Sequence, residues 1–222
     1  MSILAGFAIV CLETAGAIYK RIHAINFGVY GAGAVGKTTL HRQLRTRGEV
    51  PDIKERTVGL QGASRKVVKI DGQVNTIKAA DVGGQSQYWN LWKQDMKKRR
   101  PKYVIFVIDD RHLKNRANLQ NQLAWQYLVD LICDEYWRDG KRLKKKKDKD
   151  YPQAVAIWAN KFDLWGKEYE FDDIQKHPIF EPFAYGMQKL NEKGIPCHKY
   201  IVSAQSDPEM VYRGIMTMIN DY

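Results

Sequence analysis

Between Ala24 and Tyr30 the apolar residues Ile25, Phe27 and Val29 alternate with their neighbours, the period of two expected of a strand, and the run stops at a glycine-rich turn. Residues 36–47 then read as a helix. After a polar connection containing Pro51, strand patterns at 66–70 and 74–80 flank Asp71-Gly72, a dipeptide that favours a tight hairpin, so these two strands are predicted to be antiparallel. The runs 103–108, 154–159 and 200–203 are short, apolar and rich in Val and Ile, as parallel strands buried on both faces are. Between and after them lie helical stripes, one through Leu119, Leu123, Tyr127, Leu131 and Ile132, another through Val211, Ile215, Met218 and Ile219. Alternating strand and helix predicts an α/β fold with a doubly wound sheet.

Residues 3–12 break this rhythm with ten consecutive apolar residues, followed by Glu13 and the basic pair Lys20 and Arg21. A spanning helix needs roughly 20 apolar residues, and Glu13 would cost about 2.5–3.5 kcal/mol at mid-bilayer. The positive charge follows the run instead of preceding it, which disfavours a secretory signal. We therefore expect an N-terminal apolar helix over residues 1–22 that meets a membrane, a membrane protein or a groove of its own domain, and a single domain over 23–222.

Composition narrows the picture modestly. The 222 residues are 44% hydrophobic and 27% charged, within the range of folded globular chains and enough for one α/β domain with a sizeable core. The net charge of +11 favours phosphate-bearing partners, and its most concentrated parts are Lys97 to Arg100 with Lys102 and a basic insert near 141–150. Aromatic residues are not interleaved with those lysines, which argues against a nucleic-acid module. Three scattered cysteines fit a reducing compartment, and the five histidines share no metal-ligand spacing.

The chemistry is concentrated in three places. Residues 31–38 satisfy G-x-x-x-x-G-K-[ST] directly after a strand and at the start of a helix, the context of a phosphate-binding loop. Backbone N–H groups of Gly31, Ala32, Gly33, Ala34, Val35 and Gly36 are expected to cradle phosphates, with Thr39 just inside the helix. Lys37 would act on the β- and γ-phosphates as a point charge, and Thr38 would ligate Mg²⁺. At the end of the third strand stand Asp81, Gly84 and Gln85. An acid there can hold the Mg²⁺ shell, a glycine N–H can sense a γ-phosphate, and a glutamine can orient attacking water. Residues 160–163 read Asn-Lys-Phe-Asp past the fifth strand, where Asp163 can accept the paired N–H donors of guanine that adenine does not present together. Asn160 and Lys161 complete that motif, and Ser203, Ala204 and Gln205 offer a backbone N–H to the guanine oxygen. Thr57 is the expected threonine that closes on Mg²⁺ and γ-phosphate. Tyr88, Trp89, Leu91 and Trp92 follow the second motif, and their density predicts a partner-binding face, since Trp and Tyr favour interfaces.

The set resembles the Ras-like small GTPases, and Asp81-Val82-Gly83-Gly84-Gln85 resembles the divergent Arf-like branch with the beta subunit of the signal-recognition-particle receptor. The resemblance implies a P-loop GTPase domain with a mostly parallel six-stranded sheet, one antiparallel strand and helices on both faces. It implies GTP/GDP and Mg²⁺ as ligands, Gln85 and Lys37 as catalytic groups, slow hydrolysis without a partner, and effector, exchange and activating proteins as partners. A cytosolic protein associated with a membrane is the accompanying expectation, and a GTP-dependent receptor or assembly subunit with little turnover is the alternative.

Overall fold

The two runs with no exposed residue, Tyr103–Ile108 and Ala154–Ala159, lie side by side in the sheet, as their lack of polar positions requires. The computed structural model describes residues 24–46, 64–70, 73–138, 141–142, 152–168 and 173–220. Within them the main sheet holds β1 (Ala24–Tyr30), β2 (Ser64–Ile70), β3 (Gln73–Asp81), β4 (Tyr103–Ile108), β5 (Ala154–Ala159) and β6 (Cys197–Ile201). Their spatial order is β2-β3-β1-β4-β5-β6. From β3 to β6 every pairing is parallel, while β2 lies at the edge and runs antiparallel to β3, from Ser64 opposite Ala79 to Ile70 opposite Gln73.

Strand β6 differs from the apolar run at 200–203 that marked it. It begins at Cys197 and is half-buried until Ile201, because it is the last strand and has one neighbour. An edge strand need not be apolar throughout, and Ser203 instead closes a small bridge with Asp207.

Among the described residues the longer helices are α1 (Lys37–Thr46), α2 (Trp89–Arg99), α3 (Gln120–Tyr136), α4 (Ala184–Glu192) and α5 (Pro208–Asn220). Helix α1 meets α5, and α3 meets both α2 and α4. In α5 the stripe Val211, Ile215 and Met218 is buried with Ile219 beside it, and Gly214 admits the Trp158 ring, which a Cβ would approach to 2.9 Å. In α3 the helical period holds but the phase is shifted in the first turns. Trp125, Leu128, Val129, Leu131 and Ile132 are buried and Tyr127 packs against the core, whereas Leu123, and Leu119 just before the helix, are 57% and 50% exposed. The largest side chain decides the phase: the Trp125 ring lies tilted 5.0 Å from that of Phe106, donates its indole N–H to Phe183 O, and sits where a Cβ on Gly186 would stand 2.2 Å away.

The aromatic segment after the second motif turns partly inward, which for Trp92 corrects the expected partner face. Trp92 is fully buried, Trp89 and Leu91 pack partly buried against the core, and Tyr88 is half-buried. Trp92 touches Tyr30, Trp89 and Tyr127 at centroid distances of 5.4, 5.8 and 5.9 Å. The basic cluster also divides. Lys97 and Lys98 are exposed, but Arg99 is paired with buried Asp95 and donates to Phe27 O, while Tyr30 O–H donates to the same carboxylate at 2.7 Å. Asn26 Nδ2 donates to Arg99 O, so β1 and α2 are tied together along one side. His41, His112 and His177 are buried packing residues, and Cys133 and Cys197 are free thiols. Residues 1–22, Thr57 and most of the 141–150 insert lie outside the described residues; Lys141–Arg142 pairs with Trp137–Arg138 as a short hairpin. Among the described residues no helix is long and apolar enough to cross a membrane.

The sheet order has a direct consequence for function. The chain leaves β1 to form β2 and β3 on one side, then crosses to β4 on the other, which makes the carboxyl end of β1 a topological switch point. Ligands of open α/β sheets bind outside the carboxyl ends of the strands at such a point. Gly31, Asp81, Asp109 and Asn160 stand at or just past the ends of β1, β3, β4 and β5, and Ser203 follows two residues after β6.

Candidate functional site

The turn after β1 is shaped by glycine where no other residue fits. Gly31 has φ 147°, and a Cβ there would lie 2.2 Å from Val107 O of the neighbouring strand. Gly36 has φ 92°, and a Cβ would lie 2.2 Å from Asn160 Nδ2. Between them Ala34 adopts φ 64° without the licence of a glycine. Helix α1 then starts at Lys37 with no acidic residue in its first turn, so the positive end of the helix faces the loop uncompensated. Lys37 crosses back over the loop, its Nζ donating to Gly31 O at 3.0 Å and Ala32 O at 2.7 Å. Burial lowers the Lys37 pKa to about 8, with the repulsion of Arg111 adding to it and the attraction of Asp81 and Asp109 opposing it. A desolvated ammonium at a helix N-terminus, beside a turn of close-approach glycines, is a cradle for an anion.

The second motif lies against the first. Asp81 is buried at the end of β3, and Gly84 packs so tightly that a Cβ would stand 2.2 Å from Lys37 Nζ and 2.4 Å from Gly31 O and Ala32 O. Two indoles hold this peptide: Trp92 Nε1 donates to Gly83 O at 2.9 Å and Trp89 Nε1 to Gly84 O at 3.2 Å. The Trp89 ring stacks on Tyr127 at 5.2 Å. Gln85 is half-exposed, its carbonyl accepting from Gln87 Nε2 at 3.1 Å. With Gly33, Ala34, Trp89, Arg111 and Leu123 it lines a cleft of 280 Å³.

The third motif is tied to the first by side chains. Asn160 donates from Nδ2 to Val35 O and accepts at Oδ1 from Ala204 N–H, both at 3.0 Å, so one buried amide links the phosphate loop to the turn after β6. The Ala204 N–H is thereby engaged by Asn160. Trp165 Nε1 donates to Asn160 O at 2.7 Å and fixes the Asn160 backbone. Lys161, with φ 64°, donates to Ala34 O at 2.7 Å and pairs with Asp109 at 3.1 Å. Asp163 has an exposed side chain, and its N–H donates to Ser203 Oγ at 3.0 Å. Gln205 is exposed beside it, while Thr38 and Thr39 are half-buried in the first turn of α1.

Asp109 and Arg111 complete this arrangement and were not singled out from the sequence. The Arg111 fork grips Asp109 with Nε to Oδ1 at 2.6 Å and a terminal nitrogen to Oδ2 at 2.7 Å. Among the described residues no cluster of three His, Cys, Asp or Glu side chains is placed to hold a metal. Thr38 and Asp81 supply one hydroxyl and one carboxylate, a donor set that suits a hard cation sharing its remaining oxygens with a phosphate ligand.

Residues 27–131, from β1 into α3, match the Ras family. No curated protein matches the chain. The matched span contains the phosphate loop and the second motif and ends before Asn160. It supports a Ras-like small GTPase and, in general terms, a GTP-binding switch; Ras-like GTPases generally hydrolyse GTP and interact with effectors and regulators. Ras family proteins bind guanine nucleotides, generally with Mg²⁺.

Proposed function

We propose that this chain is a guanine-nucleotide switch that binds GTP and GDP with Mg²⁺ and hydrolyses GTP slowly on its own. The observation that carries this reading is the joining of the Asn160–Lys161 segment to the phosphate loop through Val35 O and Ala34 O, at 3.0 and 2.7 Å. A nucleotide long enough to reach from one to the other would have its phosphates on residues 31–39 and its base beside Asp163. Asp81-Val82-Gly83-Gly84-Gln85 supports the Arf-like branch within this class.

In this reading Thr38, Asp81 and Thr57 would hold Mg²⁺, which when bound would supply positive charge to the phosphates. The chain's own groups do the remaining work. The loop amides and Lys37 bind the phosphates and stabilise charge as it develops on them, which the cleft's partial exclusion of water strengthens. Gln85, which lines that cleft, orients a water, and Gly84, with no side chain of its own, lets its N–H approach a phosphate beside Lys37.

The purified chain is expected to bind GTP and GDP in strong preference to ATP. Asp163→Asn is expected to weaken guanine binding about ten- to hundredfold, the range for a charge-assisted hydrogen bond, and to favour xanthine nucleotides, whose 2-position is an oxygen. Competition of unlabelled ATP and GTP for a fluorescent GDP measures this, and equal affinities would remove the guanine assignment. Gln85→Leu is expected to leave GDP affinity near native while slowing single-turnover hydrolysis by roughly tenfold or more. Unchanged hydrolysis, alone and with an activating protein, would take the catalytic role from Gln85.

A further inference from the structure

We propose that Arg111 is a positioning residue for the bound nucleotide, acting through Asp109 and Lys161 on the phosphate-loop peptide of Ala34. The inference rests on the guanine-nucleotide reading and adds to it a group outside all three motifs.

The relay can be followed atom by atom. Arg111 lies one residue past the pair Asp109-Asp110 that ends β4, in a single helical turn, Arg111–Lys114. Its planar fork makes two hydrogen bonds to Asp109 and a third, at 2.8 Å, to Gln120 Oε1 at the start of α3. Asn121 Nδ2 donates to Asp109 O at 3.0 Å, which fixes the carboxylate's backbone as well. A bidentate guanidinium sets the plane of the carboxylate it grips, where a lysine would act only as a point charge. With the plane fixed, Asp109 Oδ2 faces Lys161 Nζ at 3.1 Å, and Lys161 in turn donates to Ala34 O. Burial alone would raise the Asp109 pKa, but Arg111 and Lys161 together hold it below the ordinary carboxylate range, so the carboxylate at the centre of the relay is charged at neutral pH.

The two residues at the end of the relay are those that most need an external anchor. Ala34 and Lys161 both stand at φ 64°, a left-handed conformation that non-glycine residues keep only when their surroundings impose it. One carries the phosphate loop and the other the base-reading segment, and the Lys161–Ala34 hydrogen bond joins them beside the Asn160–Val35 bond. Nucleotide bound across both loops would therefore depend on a bond whose geometry is set by Arg111. A residue that only stabilised the fold would alter nucleotide release independently of Lys161. One that works through the relay would not.

Release of fluorescent GDP from the full chain, followed by stopped flow, tests this in the native, Arg111→Ala, Lys161→Ala and doubly substituted proteins. Arg111→Ala is expected to speed release between about tenfold and a hundredfold, the range for losing hydrogen bonds to a charged group. In the Lys161→Ala background the same substitution is expected to change release by less than about twofold. Arg111→Lys, which keeps the charge and loses the fork, should fall between native and Arg111→Ala, and it takes the place of Arg111→Ala in the cycle should that variant fail to fold. Release within about twofold of native, or an equal factor with and without Lys161, would overturn the proposal. A native chain with no affinity for GDP would overturn the function itself instead, so the two failures are distinguishable.

Discussion

Asn160→Ala is expected to cost the protein most of its guanine-nucleotide affinity. The side chain is 2% exposed and bridges two buried backbone groups, Val35 C=O and Ala204 N–H. Truncation leaves both without their partner in a space that Gly36 already crowds. Each buried group so orphaned costs about 1–3 kcal/mol, or roughly 2–6 kcal/mol together. Because the bridge joins the loop that would hold phosphates to the turns that would hold the base, most of this loss should appear in binding. That is between about thirtyfold and ten-thousandfold in Kd. Asn160→Asp should rescue little, since it keeps the acceptor for Ala204 N–H but sets a carboxylate oxygen against Val35 O. Equilibrium titration with fluorescent GDP reads the effect, and a urea melt without nucleotide reads the part that falls on the fold. A Kd within about threefold of native would mean that the bridge does not serve nucleotide binding.

How much of this could be read beforehand depended on how completely a residue's environment is written in its neighbours. Strands β1, β4 and β5 end where an apolar run meets Gly31, Asp109 or Asn160, and both the strands and the importance of their ends follow from that junction. The first residues of strand β6 are hidden because Cys197, His198 and Lys199 are tolerated on a strand with one neighbour. The phase of α3 is hidden for a related reason, since periodicity counts apolar positions equally while packing is decided by Trp125 filling the space over Phe106 and Gly186. Within the site, Gly31 and Gly36 declare their unusual backbone by being glycine; Ala34 does the same thing as an alanine and gives no sign. Asp109 and Arg111 read as an ordinary polar turn, because what distinguishes them is the distant Lys161. Their place at the carboxyl end of β4, beside the switch point of the sheet, was the one available signal.

Trp92→Ala is expected to destabilise the fold by about 3–5 kcal/mol, the usual cost of emptying a buried aromatic site. The indole has no exposed surface and is enclosed by Tyr30, Trp89 and Tyr127, none of which can collapse into the gap without leaving its own contacts. Tyr30 is itself held by its hydrogen bond to Asp95, and Trp89 by its bond to Gly84 O, so the cavity should persist. Native stability is only about 5–15 kcal/mol, and a loss of this size should lower the melting temperature by roughly 6–20 °C. A second effect is local. Gly83 O loses its indole donor, so the peptide beside Lys37 is held to α2 by the Trp89 indole alone, and nucleotide affinity should fall further than the global loss alone predicts. Trp92→Phe separates the two effects, because it restores most of the ring volume without the N–H: stability should largely recover while the excess loss in affinity remains. Urea melts paired with GDP titrations of both variants measure this. A Trp92→Ala chain that melts like the native protein but no longer captures its partner would return the residue to the interaction surface that the aromatic density of the segment first suggested.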